Sequence, residues 1–326
     1  MYRKNLRTDS EFQYDVYKHI GKYTTRSWIH SLVETSVTIL LFYICFQLES
    51  LLWTPLLALT FVRAFIIFHD MSHNSFFPSK IFNIVGGLIF GSIVLTPMSY
   101  WVKGHTHHHS NANKINRPQH AQTASWDLDK YYESNWKEQI MYKLTYGKYT
   151  LFTVVPFFYF FILHRFVGKW YELIIQILWL MYVAYMLDYS QYTYFVVSLW
   201  LAGIIGFILF HCQHTFDGVY RAYDKDDIPK DSEHEYEQWN YFSNGMYGAS
   251  FLQVPNILNL FTMNIQYHHI HHLNPHVPCY NLCKCHDDGI HLFENVKRIS
   301  LYDVLVSLKY SVYNNRLKRF DDIYNH

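Results

Sequence analysis

Apolar stretches of membrane-spanning length, with three histidine clusters at their edges, predict an all-α integral membrane fold. The expected architecture is four transmembrane helices plus interfacial helices and a cytosolic histidine-rich cap holding a di-metal site. Composition is the third observation behind this. Of 326 residues, 50% are hydrophobic, 19% aromatic and 16% charged, against a charged share of ~25% in soluble domains. A mean hydropathy of -0.07 nevertheless requires a large polar part outside the lipid. The net charge of +1, with no lysine–arginine block, gives no reason to expect nucleic acid as a partner.

Three segments are expected: a cytosolic N-terminal segment over 1–28, a membrane domain over 29–290 and a cytosolic C-terminal tail over 291–326. Residues 1–28 are polar, without an apolar run or a small-residue cleavage site, so no removable signal peptide is expected. The candidate apolar segments are 29–48, 51–68, 81–98, 149–163, 170–187 and 191–210. Basic residues orient them. Arg3, Lys4, Arg7, Lys18, Lys22 and Arg26 precede the first segment, whereas the link around Glu49 and Ser50 has none. The N-terminus is therefore read as cytosolic, and the second crossing returns there with His69 and His73. Arg165 and Lys169 precede 170–187, and the turn at 188–190 has no basic residue, so His211 and His214 reach the same face. For the middle cluster to join them, 81–98 must lie in the interface or dip in and back. The short, Pro156-containing segment 149–163 is demoted likewise. Six true crossings would instead put the middle cluster on the opposite face. Arg63 and Glu34, inside apolar stretches, are expected to snorkel or to pair within the cap, without a catalytic role.

The clusters are HDMSH at 69–73, HTHHH at 105–109 and HHIHH at 268–272, which share the spacings HxxxH, HxxHH and HxxHH. Separations of three and four residues place side chains on one helix face. Imidazole suits iron, zinc, copper and nickel, and neutral rings gather around a cation without the mutual repulsion of carboxylates. Eight histidines exceed the four ligands of a structural zinc site and the usual three of a mononuclear iron site, so two metals in one cage are expected. The ligand set alone does not choose iron over zinc or copper. Asp70 and Asn74 are placed to hydrogen-bond ligand imidazoles, and Pro275 and Pro278 should end the third cluster's helix. The five cysteines, Cys45, Cys212, Cys279, Cys283 and Cys285, are odd in number and suggest no disulfide framework. CYNLCKCH at 279–286 lacks the paired CxxC spacing of structural zinc sites.

The strings FHDMSHNSFF at 68–77, GHTHHHSNAN at 104–113 and NIQYHHIHHLNPHVPCYNL at 264–282 resemble the three histidine boxes of integral-membrane fatty acid desaturases. The likeness is strongest to bacterial-type acyl-lipid desaturases and runs from about residue 50 to 290. FHCQHTFDGVY at 210–220 resembles the segment carrying an additional ligand in that family, which would be His214. The resemblance implies nine metal ligands: His69, His73, His105, His108, His109, His214, His268, His271 and His272. It also implies two iron ions (Fe2+), O2 as co-substrate, and removal of two hydrogens from adjacent methylenes of an acyl lipid or acyl thioester, leaving a cis double bond. His107, His211 and His269 fall outside the family pattern and are expected to be exposed or to stand behind the ligands.

No HPGG haem motif and no glycine fingerprint is found, so no haem or flavin is expected in this chain. Electrons are expected from a separate ferredoxin or cytochrome b5 type carrier. The polar stretch 221–240 is either its dock or a solvated loop. The aromatic run at 157–161 suits packing or an interfacial belt better than an acyl tunnel. Di-iron hydroxylases, epoxygenases and carotenoid ketolases have similar boxes and stay open as alternatives. A membrane metal transporter is disfavoured, because its ligands belong at mid-membrane depth and these clusters lie at span ends. Nothing in the chain separates the endoplasmic reticulum from a bacterial inner membrane.

Overall fold

The computed structural model describes residues 9–48, 50–115, 117, 126–163, 167–228 and 237–326. Arg3, Lys4, Arg7, Glu49 and Arg165, which entered the orientation argument, lie outside these residues. So do residues 229–236 of the polar stretch.

Helix α1 spans Ser10–Gly21 and begins where the Asp9 carboxylate accepts from the Phe12 amide at 2.9 Å. Helix α2, Trp28–Leu48, and helix α3, Thr54–Ser72, form an antiparallel pair. Pro55 sits in the first turn of α3, where a missing N–H costs nothing. Helix α4, Lys80–Ile93, then meets α5, Met98–Asn111, at a bend of 99°. Pro97 explains the break, since it disfavours helical geometry at Thr96 and lacks a donor. The apolar segment 81–98 therefore does not continue as a straight crossing. Glu172, from a later helix, fixes the start of α5 by accepting from the Ser99 amide at 2.8 Å and from its hydroxyl.

Four short helices follow: α6 Leu128–Glu133, α7 Trp136–Tyr146, α8 Lys148–Leu151 and α9 Val154–Phe161. The apolar segment 149–163 is thus two fragments, too short to span ~30 Å of hydrocarbon. Helices α10, Trp170–Met186, and α11, Tyr189–His214, make a second hairpin, turned by a capping box between Asp188 and Gln191. Beyond it lie α12 Tyr241–Tyr247, α13 Asn256–Thr262, α14 His268–Leu273, α15 Cys279–Asp288 and α16 Leu301–Ser307. The strands are minor. β1, Phe251–Leu252, pairs in parallel with β2, Arg298–Ile299, and β3, Val312–Asn314, pairs antiparallel with β4, Arg319–Asp321.

The result is an all-α membrane protein with a polar cap. Helices α2, α3 and α11 are each long and apolar enough to cross a bilayer. Helix α10, with 17 residues, stands at the short end of the ~17–25 residues a crossing needs. Its Ile177, Met181 and Tyr185 are exposed, a surface that suits lipid and not water. These four helices are the candidate crossings. Helix α3 is the central one, packed against α2, α4, α11 and α13.

One expectation is corrected here. Arg63 does not snorkel: it is 1% exposed and forms an ion pair with Glu34 of α2. It also donates from Nε to the Thr38 hydroxyl at 2.8 Å, and to the Leu260 carbonyl of α13. An arginine at the centre of a crossing helix costs about 2.5–3.5 kcal/mol to insert, and this network offsets that cost. It also ties the helix of the first histidine cluster to the helix preceding the third.

Candidate metal centre

Each histidine cluster lies at or beside the end of a helix packed into the core. His69 ends α3 and His73 follows it, His105, His108 and His109 occupy the last two turns of α5, and His214 closes α11. The third cluster forms α14 itself, a six-residue helix that stops at Asn274 before Pro275.

The nine histidines come together in two groups. His69, His73, His105, His109 and His271 form one, and His108, His214, His268 and His272 the other, with one donor nitrogen per ring and all donors of a group within 4.8 Å of one another. Helix phase explains the division. On that shared face a residue four along is turned about 40° one way around the axis and a residue three along about 60° the other way, so the two diverge by about 100°. So His105 and His109 face the first group while His108 crosses to the second. In α14 the roles reverse: His268 and His272 face the second group, and His271 crosses to the first.

Within the first group, Nε2 of His105 lies 2.8 Å from Nε2 of His69 and 3.1 Å from that of His109, which is 3.0 Å from Nε2 of His271. In the second, His108 and His272 approach at 3.1 Å, and His214 and His268 at 2.9 Å, again through Nε2. Two donors at right angles around an ion with ~2.1 Å bonds are about 3.0 Å apart. Neutral rings facing each other this way have lone pairs in contact, which a shared cation relieves. The residues therefore fit a pair of transition-metal ions.

The outer nitrogens support the same assignment. Nδ1 of His214 lies 2.9 Å from the Gly248 carbonyl, and Nδ1 of His69 lies 3.2 Å from the Asp70 carboxylate. A carbonyl or carboxylate only accepts, so each Nδ1 carries the proton and each Nε2 turns its lone pair inward. Asp70 is itself held by the Cys279 amide at 2.6 Å. Burial, and after it the neighbouring imidazoles, pushes His268, His271 and His272 well below the usual histidine range. They stand neutral, the form that binds metal.

Other residues fall differently. Asn74 does not hold an imidazole; its side-chain oxygen accepts from Asn83 at 3.0 Å. His107 is exposed on the outer face of α5. His211 is buried, with Nε2 2.7 Å from the Ser307 carbonyl. His269 is fully buried and pairs with His286 at 3.1 Å, against Phe293. Among the described residues, none of the cysteines joins a metal-binding group. We expect His107→Ala to leave metal content and melting temperature unchanged. His269→Ala should lower stability by about 1–3 kcal/mol, because it orphans the buried His286, while metal content by mass spectrometry stays at the wild-type value. Loss of metal from His269→Ala would place that ring among the ligands.

A partly open apolar cavity meets the centre. Its walls are Phe61 and Phe65 of α3, Trp101 of α5, Gly203 and Phe210 of α11, and Tyr159 and Phe160 of α9, and it touches His69 of one group and His268 of the other. Two members of the aromatic run 157–161 therefore line this cavity, whereas Phe157 and Phe158 face outward. The outward-facing pair suits the interfacial belt expected from the sequence, while Tyr159 and Phe160 join the cavity wall. Neither the Gly248 carbonyl nor the lining of the cavity has a local signal, because both depend on residues distant in the chain.

The family model described as fatty acid desaturase matches residues 48–296. A relative described as a fatty acid desaturase, from Bacillus subtilis (strain 168), is 30% identical over 285 residues, covering 84% of this chain and 77% of the relative.

Proposed function

Because this chain belongs to the fatty acid desaturase family, we propose that it is a di-iron acyl-lipid desaturase that takes its electrons from a separate carrier. The observation that carries the reading is the meeting of an apolar cavity with both histidine groups, through His69 and His268. The reaction balances as –CH2–CH2– + O2 + 2 e⁻ + 2 H⁺ → –CH=CH– + 2 H2O, with a ferredoxin or cytochrome b5 type protein as reductant.

His69, His73, His105, His109 and His271 would hold one iron ion and His108, His214, His268 and His272 a second, and the pair would supply the activation of O2. The chain's own residues do the rest. Asp70 and the Gly248 carbonyl keep Nε2 of His69 and His214 deprotonated and aimed inward. Phe61, Phe65, Trp101 and Phe160 offer the acyl chain a dry wall and exclude water from the reacting carbons. Among the described residues no carboxylate belongs to either group, so the ligands themselves bring no negative charge to the metals.

The basic-residue asymmetry supports a cytosolic active site and cytosolic termini. In that topology α2 leaves and α3 returns, α10 leaves and α11 returns, and the bent α4–α5 pair enters without crossing. Within this reading the domain limits are 1–28, 29–290 and 291–326. Expression in a host with a defined fatty acid profile, followed by gas chromatography and mass spectrometry of its lipids, tests the function. A new cis-monounsaturated acyl species is expected. A hydroxylated or epoxidised product in its place, or an unchanged profile with the protein inserted and metal-loaded, would overturn the proposal.

A further inference from the structure

Two aromatic rings stand where the cavity meets the histidines. Trp101 stacks on His105, at 4.8 Å between centroids and 18° between planes, and lies 6.4 Å from His69. It serves the first group only. Phe210 is placed differently, because its ring lies 5.0 Å from His108, 6.1 Å from His214 and 6.3 Å from His268, and also 6.2 Å from His105 of the other group. It is a cavity wall residue, half-buried, one helical turn before His214 on α11. It donates no atom to a metal and makes no polar contact. A ring so placed bounds the space that reacting methylenes must occupy between the two groups.

We propose that Phe210 is a specificity-determining residue, fixing which pair of carbons faces the centre and holding both within reach. This inference rests on the desaturase reading. Removal of two hydrogens from neighbouring carbons requires that the second C–H stay close after the first has gone. If the chain slides, two outcomes follow. Hydrogens leave from a different pair of carbons, or oxygen is delivered to one carbon, as –CH2– + O2 + 2 e⁻ + 2 H⁺ → –CH(OH)– + H2O, with the same external electron carrier as reductant. Trimming the ring should therefore alter the kind of product more than the metal content, whereas a ring that merely packs would alter neither product position nor product type.

The test compares wild type with Phe210→Leu and Phe210→Ala in the same host. It reads double-bond position and hydroxy acid fraction by mass spectrometry of derivatised acyl chains, and metal per chain on the purified proteins. The inference expects wild-type metal content in Phe210→Leu, with a second positional isomer or a hydroxy acid rising at least several-fold. Phe210→Ala should extend that change if it folds; Phe210→Leu carries the test if it does not. A single isomer at the wild-type position with no hydroxy acid would overturn the inference, as would loss of metal from Phe210→Leu, which would make the ring a support of the cage. Failure of the wild type itself to make an unsaturated product would strike at the proposed function instead.

Discussion

Replacing His271 or His108 with alanine should reduce double-bond formation to background while the protein still inserts in the membrane. These two rings are the ones that cross between groups: His271 reaches Nε2 of His109 at 3.0 Å, and His108 reaches Nε2 of His272 at 3.1 Å. Each variant removes a donor from a different group and leaves a buried gap in a cage without carboxylates to compensate. Outer partners alone typically account for 10–100-fold in metal affinity, so losing a ligand should cost at least as much. The fatty acid profile and metal per chain, measured on the same preparations, report the result. Full activity of either variant would remove that histidine from the ligand set, and His214→Ala provides the same check for the ligand on α11.

The second large effect lies away from the metals. Glu34→Leu should destabilise the protein by about 3 kcal/mol, since it leaves the fully buried Arg63 without its counter-charge. The double variant Glu34→Leu/Arg63→Met should recover most of that loss, because replacing a buried arginine together with its half-buried carboxylate partner by apolar groups is often neutral. Melting temperatures in detergent, followed by tryptophan fluorescence, distinguish the cases. A double variant no more stable than Glu34→Leu would show that the Thr38 and Leu260 contacts of Arg63, rather than its ion pair, hold α2, α3 and α13 together.

Some of this was legible in the chain, and some was not. Local rules suffice for elements whose signal lies within one segment. Apolar length marked α2, α3, α10 and α11, and Pro97 and Pro156 fall where 81–98 and 149–163 depart from straight helices. Histidine spacing singled out eight of the nine rings that the fold gathers, and the family resemblance supplied His214. Their division five and four could have been read from helix phase, since in HxxHH the outer pair is nearly aligned and the middle ring diverges from the last by about 100° on the same face. Other features depend on packing between distant residues. The pairing of Arg63 with Glu34, the partner of Asn74, the burial of His269 against His286 and the entry of Tyr159 and Phe160 into the cavity wall have no local signature.

The central claim is that two ions sit in one all-histidine cage and that both are iron. Elemental mass spectrometry of the purified protein, from cells supplied with iron and zinc together, tests this most directly. About two irons per chain are predicted from nine imidazole donors in two groups. Stoichiometric zinc, or a single metal ion per fully folded chain, would contradict it.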